Sequence, residues 1–416
     1  MNARNRAFAV EVVVALRNAG HQALFAGGCV RDLLLGDTPS DFDVATDATP
    51  ERVLGLFKRT TKVGISFGVV RVIGPKDAGE VEVATFRSDG VYLDGRHPES
   101  VTFGSAEADA SRRDFTINGM FLDPLTNEVI DYVGGRHDLE RKTIRAIGNP
   151  VARFEEDKLR LLRAIRFASR FDFEIDPATR VAIEQMSAHV NQVAVERISH
   201  ELDRMLTHPN RVAAIALARD VGLLDAILPE VASLIGDERW ERTMRVLDAL
   251  PESPSLPLSM AALLHQADSE CSRGTADAVS RRLKRSNSER EKIVWLVDLQ
   301  DILLQAKSMR KSQLKRILAK PEISDLLALH RAKASASGSN SSHVDFCDAY
   351  LRDQPDGPID PAPLVTGHDL VSLGWKPGPH FATILEHVRD AQLEGEVQTK
   401  LDALNWIVNM RSKFID

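Results

Sequence analysis

Apolar positions come in short bursts through the first third of the chain and at helical spacing beyond it. Residues 1–20 carry apolar side chains on one helical face with charges throughout, and Gly20 ends the run. A four-residue burst, Ala23–Ala26, reads as a strand that breaks at Gly27 and Gly28 and passes into a helix-like run over 29–35. The chain turns through 36–40 and returns as a second strand carrying Asp41 and Asp43. Thr-Pro-Glu at the head of 49–58 predicts a helix. Strands are predicted over 60–63, 68–73 and 81–86, the last alternating and carrying Glu82. Residues 87–103 are rich in Gly, Asp, Ser and Pro and read as a mobile loop. A hairpin-like turn, a strand and a Gly-Gly helix entry follow over 123–139.

The strongest helical signal lies over 151–171. At about 100° per residue, Leu161, Leu162, Ala164, Ile165 and Ala168 gather on one side. Arg160, Arg163, Arg166 and Arg170 line the other, with Asp157 at the seam one turn before Arg160. Like charges on one face repel unless they meet an anion, and only Glu155 and Glu156 stand near in sequence. The arginine face is therefore expected to meet phosphate. Helical periodicity continues from 176 to about 250, and the proline-rich 251–256 marks a joint. Residues 281–292 and 307–320 are basic and otherwise helical. The stretch AKASASGSNSS, 332–342, reads as a flexible connector or loop tip. Pro377, Gly378 and Pro379 lead a helix over 381–388.

A chain of 416 residues has room for more than one domain and a sizeable core. No apolar run approaches the ~20 residues that span a bilayer, so no membrane partner is expected. The charged, amphipathic start is not a signal peptide. Cys29, Cys271 and Cys347 are far apart and fit no metal spacing; they read as reduced thiols of a cytoplasmic protein. A net charge of −7 means that any nucleic-acid contact must come from local basic clusters such as those above.

Asp41 and Asp43 are two apart on a predicted strand, so they project from the same face and make an oxygen-rich site suited to Mg²⁺. Glu82 on a neighbouring strand is the candidate third carboxylate. Upstream, Gly27 and Gly28 let backbone approach a ligand, the following helix offers N–H groups to an anion, and Arg31 adds a planar cation. A double glycine or a D-x-D alone is common; GG-x-V-R-D-x-L-L-G followed by D-x-D is specific. The combination is the set of parts that two-metal nucleotidyl transfer needs.

AGGCVRDLLLG followed by SDFDVATDATPE resembles the signature of the class II tRNA nucleotidyltransferase and bacterial poly(A) polymerase family. RRDFTINGM is similar to that family's second motif, which implies ribose and phosphate contacts by Arg112, Arg113 and Asp114. The 87–103 loop resembles the family's flexible loop at undiminished length, which favours adenine addition. EDKLR matches the family's amino-acid template, with Asp157 and Arg160 reading the base and Arg163 and Arg166 supporting them. The physics agrees. A carboxylate only accepts and a guanidinium only donates. Side by side they complement the amino group and ring nitrogen of cytosine or adenine, and they leave uracil or guanine with buried groups unpaired. ERI-x-x-EL, with Glu196, Arg197 and Glu201, resembles the neck, and the segment from Pro363 onward resembles the tail that grips tRNA. Some relatives carry a metal phosphohydrolase His-Asp pair near Ala261–His265; here Gln266 follows His265 and Asp268 comes too late, so that activity is rejected.

The resemblance implies an α+β chain. A small nucleotidyltransferase-type mixed-sheet head (1–145) precedes an elongated all-α neck (146–210), body (211–330) and tail (331–416). It implies C and/or A addition to the 3′ end of tRNA from CTP and ATP with two Mg²⁺, pyrophosphate leaving. A poly(A) polymerase on the same scaffold and a non-catalytic RNA-binding module are the alternatives. Whether C, A or both are added, and the oligomeric state, stay open at this level.

Overall fold

Residues 2–62, 68–76, 78–90, 101–267, 272–355 and 357–410 are described in the computed structural model. They fall into two units, Met1–Ala232 and Ser233–Asp416.

Eleven strands in chain order belong to the first unit: β1 Ala23–Ala26, β2 Asp43–Thr46, β3 Thr60–Thr61, β4 Val69–Ile73, β5 Glu80–Thr85, β6 Arg87–Asp89, β7 Val101–Phe103, β8 Phe121–Leu122, β9 Val129–Ile130, β10 Thr143–Ile144 and β11 Glu174–Ile175. Seven of them form one mixed sheet in the order β3-β4-β5-β2-β1-β8-β9. Its one parallel pairing is β2 with β5, and that pairing sets Asp43 opposite Glu82. All four positions of β1 are buried, which is why its sequence is a continuous apolar burst and not an alternation. Helix Asn2–Asn18 lies against β1, β2 and β5. Ala106 and Ala110 of helix Ala106–Ser111 pack with Leu24, Ala26, Phe86 and Phe121 in a separate cluster.

Four sequence expectations need correction. Strand β2 begins at Asp43, so Asp41 lies just ahead of it. Phe42 is buried against Phe25, ring centroids 5.2 Å apart, and this still turns both acids to the exposed side. The predicted 87–103 loop has ordered ends: Arg87–Asp89 pairs antiparallel with Val101–Phe103, and 91–100 lie outside the described residues. The single helix expected over 151–171 is two, Pro150–Glu156 and Leu159–Phe171. Asp157 between them is extended (φ −147°), and its carboxylate accepts from Leu159 N at 3.1 Å, capping the second helix in the way that makes Asp a helix starter. Of the stretch expected as a flexible connector or loop tip, 332–337 end helix Ile323–Ser337, with Ala332 and Ala334 buried and Gly338 (φ 65°) closing it, and only 338–341 connect it to helix Ser342–Asp353. Alanine's helix propensity outweighs the low complexity there.

A parallel pair, β10 with β11, stands apart from the main sheet and has no counterpart in the sequence reading. Residue 63 of the predicted third strand, Cys271 and Asp268 lie outside the described residues; Cys29 and Cys347 are free and buried.

The described part of the second unit is helical, without strands. One of its cores gathers Leu370, Trp375, Ile384, Val388 and Ile407. Capping boxes at Thr366–Asp369 and Thr399–Asp402 start two of the helices around it. Among the described residues, no helix of either unit is long and apolar enough to cross a membrane.

Candidate active site

The acids and the glycine turn meet because β1 and β2 are adjacent in the sheet. Desolvation, then repulsion from Asp41 and Glu82, raises Asp43 to about 6, with Arg113 pulling the other way, although the side chain remains reachable from solvent. Glu82 is already paired, with Arg71 Nη2 at 2.9 Å. Among the described residues no three His, Cys, Asp or Glu side chains converge into a ready-made cage. Two carboxylates at an edge, one of them deprived of compensating charge, nonetheless fit a hard divalent cation, because Mg²⁺ is usually held by one or two protein carboxylates plus substrate phosphates.

Gly27 is fixed by two constraints. Its φ of 73° excludes most side chains, and a Cβ there would sit 2.7 Å from Arg113 Nη1. At Gly28 a Cβ would meet only Arg31 Nη2 at 3.6 Å, an ordinary contact. Gly28 opens helix Gly28–Leu34, whose first backbone bonds run from Val30 and Arg31 to Gly27 O. The N–H groups ahead of them point out of the helix start. Cys29 is inert: burial pushes its thiol up to about 12.

Arg31 is inside the protein, 4% exposed. Its guanidinium binds Asp32 Oδ1 at 2.6 and 2.8 Å and Asn118 Oδ1 at 2.6 Å, and lies over Phe171, 4.6 Å from the ring centroid. Arg112 and Arg113 share buried Asp109, at 2.7 and 2.9 Å. Burial opposes ionisation of Asp109, but the two arginines together hold it below the usual carboxylate range. Asp114 accepts from Arg163 at 2.6 and 2.8 Å, from Asn118 and from Phe115 N. These partners overcome the desolvation penalty and bring it to about 2.

The arginine face does meet anions, and the protein supplies them. Arg160 binds Glu156 at 2.6 Å, Arg163 binds Asp114, and Arg166 binds Glu201 at 2.5 Å. Only the first pair is local; the other acids come from the 112–120 motif and from helix Val195–Leu206, which no i,i+4 rule could find. Asp157 is gripped by Arg197, at 2.7 and 3.2 Å. Asn118, Asp109 and Arg197 thus organise the site without having been assigned a role there from sequence.

Both halves of the site lie in one unit and are joined by hydrogen bonds. Arg113 stands beside Gly27 and donates to Asn118 O at 3.2 Å, and Arg160 donates to Arg112 O at 3.2 Å. Gly27 N in turn donates to Met120 O.

The family model described as "Poly A polymerase head domain" matches residues 23–145, and that described as "Probable RNA and SrmB- binding site of polymerase A" matches 172–235. The CCA-adding enzyme of Geobacillus kaustophilus is 39% identical over 265 residues, covering 60% of this chain and 65% of the relative. A CCA-adding enzyme of Streptococcus pyogenes is 31% identical over 405 residues, 96% of each chain. The crystal structure of the Bacillus stearothermophilus CCA-adding enzyme in complex with CTP superposes with a TM-score of 0.80 at 29% identity, covering 97% of both chains. Alignments to the more identical curated relatives span about half to two-thirds of those relatives' length.

Proposed function

This chain belongs to the CCA-adding enzyme family, and from that premise we propose that it adds C and A to the 3′ end of tRNA from CTP and ATP, in the cytoplasm. The observation that carries the reading is the Asp43–Glu82 register beside the Gly27 turn, joined through Arg113 and Arg112 to Arg160 and Asp157.

Asp41 and Asp43 are the residues that would hold Mg²⁺, with Glu82 available if Arg71 releases it. A divalent cation bound there supplies Lewis acidity at the primer's 3′-hydroxyl and neutralises triphosphate charge. The chain's own part is to orient and select. Gly27, Gly28 and Arg113 shape the phosphate seat, while Arg31, Arg112 and Asp114 hold its walls. Arg163 and Arg166, each anchored on a carboxylate, fix the reading helix.

Base reading is compatible with the bonds already made. Arg160 uses Nη1 toward Glu156 and Arg153 O, and Nη2 toward Arg112 O, which leaves donors of its five to spare. Asp157 Oδ1 takes Leu159 N and Arg197 Nη1, while Oδ2 takes Arg197 Nη2, so a lone pair on Oδ2 remains for an exocyclic amine. Head, neck, body and tail, divided near 145, 210 and 330, are our working partition of the chain.

The test is incubation with a tRNA ending at its discriminator base, given CTP alone, ATP alone or both. Addition of C with CTP and of CCA with both is the expected result. Addition of A only, and only to a primer already ending in CC, would instead make it an A-adding enzyme, and long A tracts a polymerase. Asp41→Ala should abolish incorporation while tRNA binding persists; near-normal turnover by that variant overturns the metal assignment.

A further inference from the structure

The second unit holds a cavity of about 320 Å³ that neither the transfer reaction nor the resemblance accounts for. Helix Glu238–Asp248 contributes Arg242 and Val246, helix Ile323–Ser337 contributes His330 and Lys333, and His265 follows helix Leu256–Leu264. Its size is at the lower end of small-molecule sites, several times that of a water or an inorganic ion.

His265 is 2% exposed and lines this cavity. Its Nδ1 lies 2.7 Å from Ala262 O, an acceptor, so Nδ1 carries the proton and Nε2 presents a bare lone pair. Burial first, then the nearby Lys333 and Arg242 charges, outweigh that bond and Asp301 and hold the ring at about 4, neutral at physiological pH. Among the described residues Nε2 has no hydrogen-bond partner. An orphaned buried acceptor is costly to leave unpaired, so a donor arriving from within the cavity gains by satisfying it.

The neighbouring groups are already used. His330 faces Leu299 O and His343. Lys333 Nζ is spent on Gln300 O, Gln300 Oε1 and Asp301 Oδ1. Arg242, at the exposed rim, makes no hydrogen bond or ion pair among the described residues.

These facts select a ligand by elimination. Arg242 and Lys333 against Asp301 alone repel a cation. A bare anion on the floor would press against the His265 lone pair. The ligand that fits is anionic at the rim and carries a hydroxyl at the floor, with its carbon skeleton against buried Val246 and Ala334. The Ser337 and Ser339 hydroxyls are bonded to each other and to Lys333 O, so the anion's donors come from Arg242, whose unengaged fork fits two phosphate oxygens. We propose that this cavity binds a hydroxylated phosphate monoester of sugar-phosphate size, its phosphate on Arg242 and one hydroxyl donating to His265 Nε2.

The test is a titration of the full chain, isotopically labelled at histidine, with ribose 5-phosphate, ribose and inorganic phosphate in turn, reading the His265 ring by NMR. A saturable shift is expected with ribose 5-phosphate, with either fragment at least about tenfold weaker. Arg242→Met is expected to weaken ribose 5-phosphate by about tenfold with the thermal midpoint and nucleotide incorporation unchanged; His265→Phe removes the hydroxyl acceptor and should abolish the preference over inorganic phosphate. An unmoved His265 signal, equal binding of the fragments, or undiminished affinity in Arg242→Met each overturns the proposal.

Discussion

Asp43 is a carboxyl whose surroundings favour its protonated form, the reverse of the usual paired acid. Its ordinary value is 3.8 and its folded value about 6, so without a bound cation the folded state loses stability as pH rises through that interval. Asp43→Asn in chelator should therefore raise the melting temperature at about pH 7.5, with the gain shrinking toward about pH 4.5; a pH-independent gain would argue against repulsion at the acids. Asp157 is held by both Nη atoms of Arg197. Arg197→Met leaves the carboxylate we propose as base reader in place and removes its support. Misincorporation of UTP and GTP relative to CTP and ATP is expected to rise by about tenfold, measured on a tRNA primer. Unaltered discrimination would mean that Asp157 needs no orienting partner.

At the level of elements, the glycine turn separates a required residue from a convenient one. Gly27→Ala meets both a positive φ and Arg113, and should cost about 1–3 kcal/mol in urea unfolding together with loss of incorporation. Gly28→Ala should stay within about 0.5 kcal/mol. The double glycine was visible in the sequence, but which of the two is the more constrained was not, because that rests on the positive φ at Gly27, with the movable tip of an arginine 86 positions away adding to it. The first two strands and the placing of the acids were legible for a related reason: Phe42 between Asp41 and Asp43 follows the period of the pleat, whereas β6, β7, β10 and β11 carry too few residues to show a period. The break at Asp157 was hidden because apolar spacing runs through it on both sides, and only the capping bond to Leu159 N identifies it. The pairing of the arginine face was unreadable in principle. Asp114 and Glu201 reach Arg163 and Arg166 across 49 and 35 residues of chain, through contacts that exist only once the units of secondary structure have packed.

For the whole molecule, a net charge of −7 coexists with proposed binding of a polyanion. Affinity for tRNA must then come from confined basic surface and should fall by an order of magnitude or more between about 50 and about 200 mM salt; binding indifferent to salt would exclude phosphate contacts as its source. The strand order carries a different consequence, one for biosynthesis. β1 pairs on one side with β2, which follows within twenty residues, but on the other with β8 at Phe121–Leu122. At about 5–20 residues per second, a nascent chain leaves one flank of its most apolar strand bare for roughly 5–20 s before the partner is made. During that interval the ribosome-bound intermediate has a sticky margin, and a chaperone that shields it would have to act before the sheet can close.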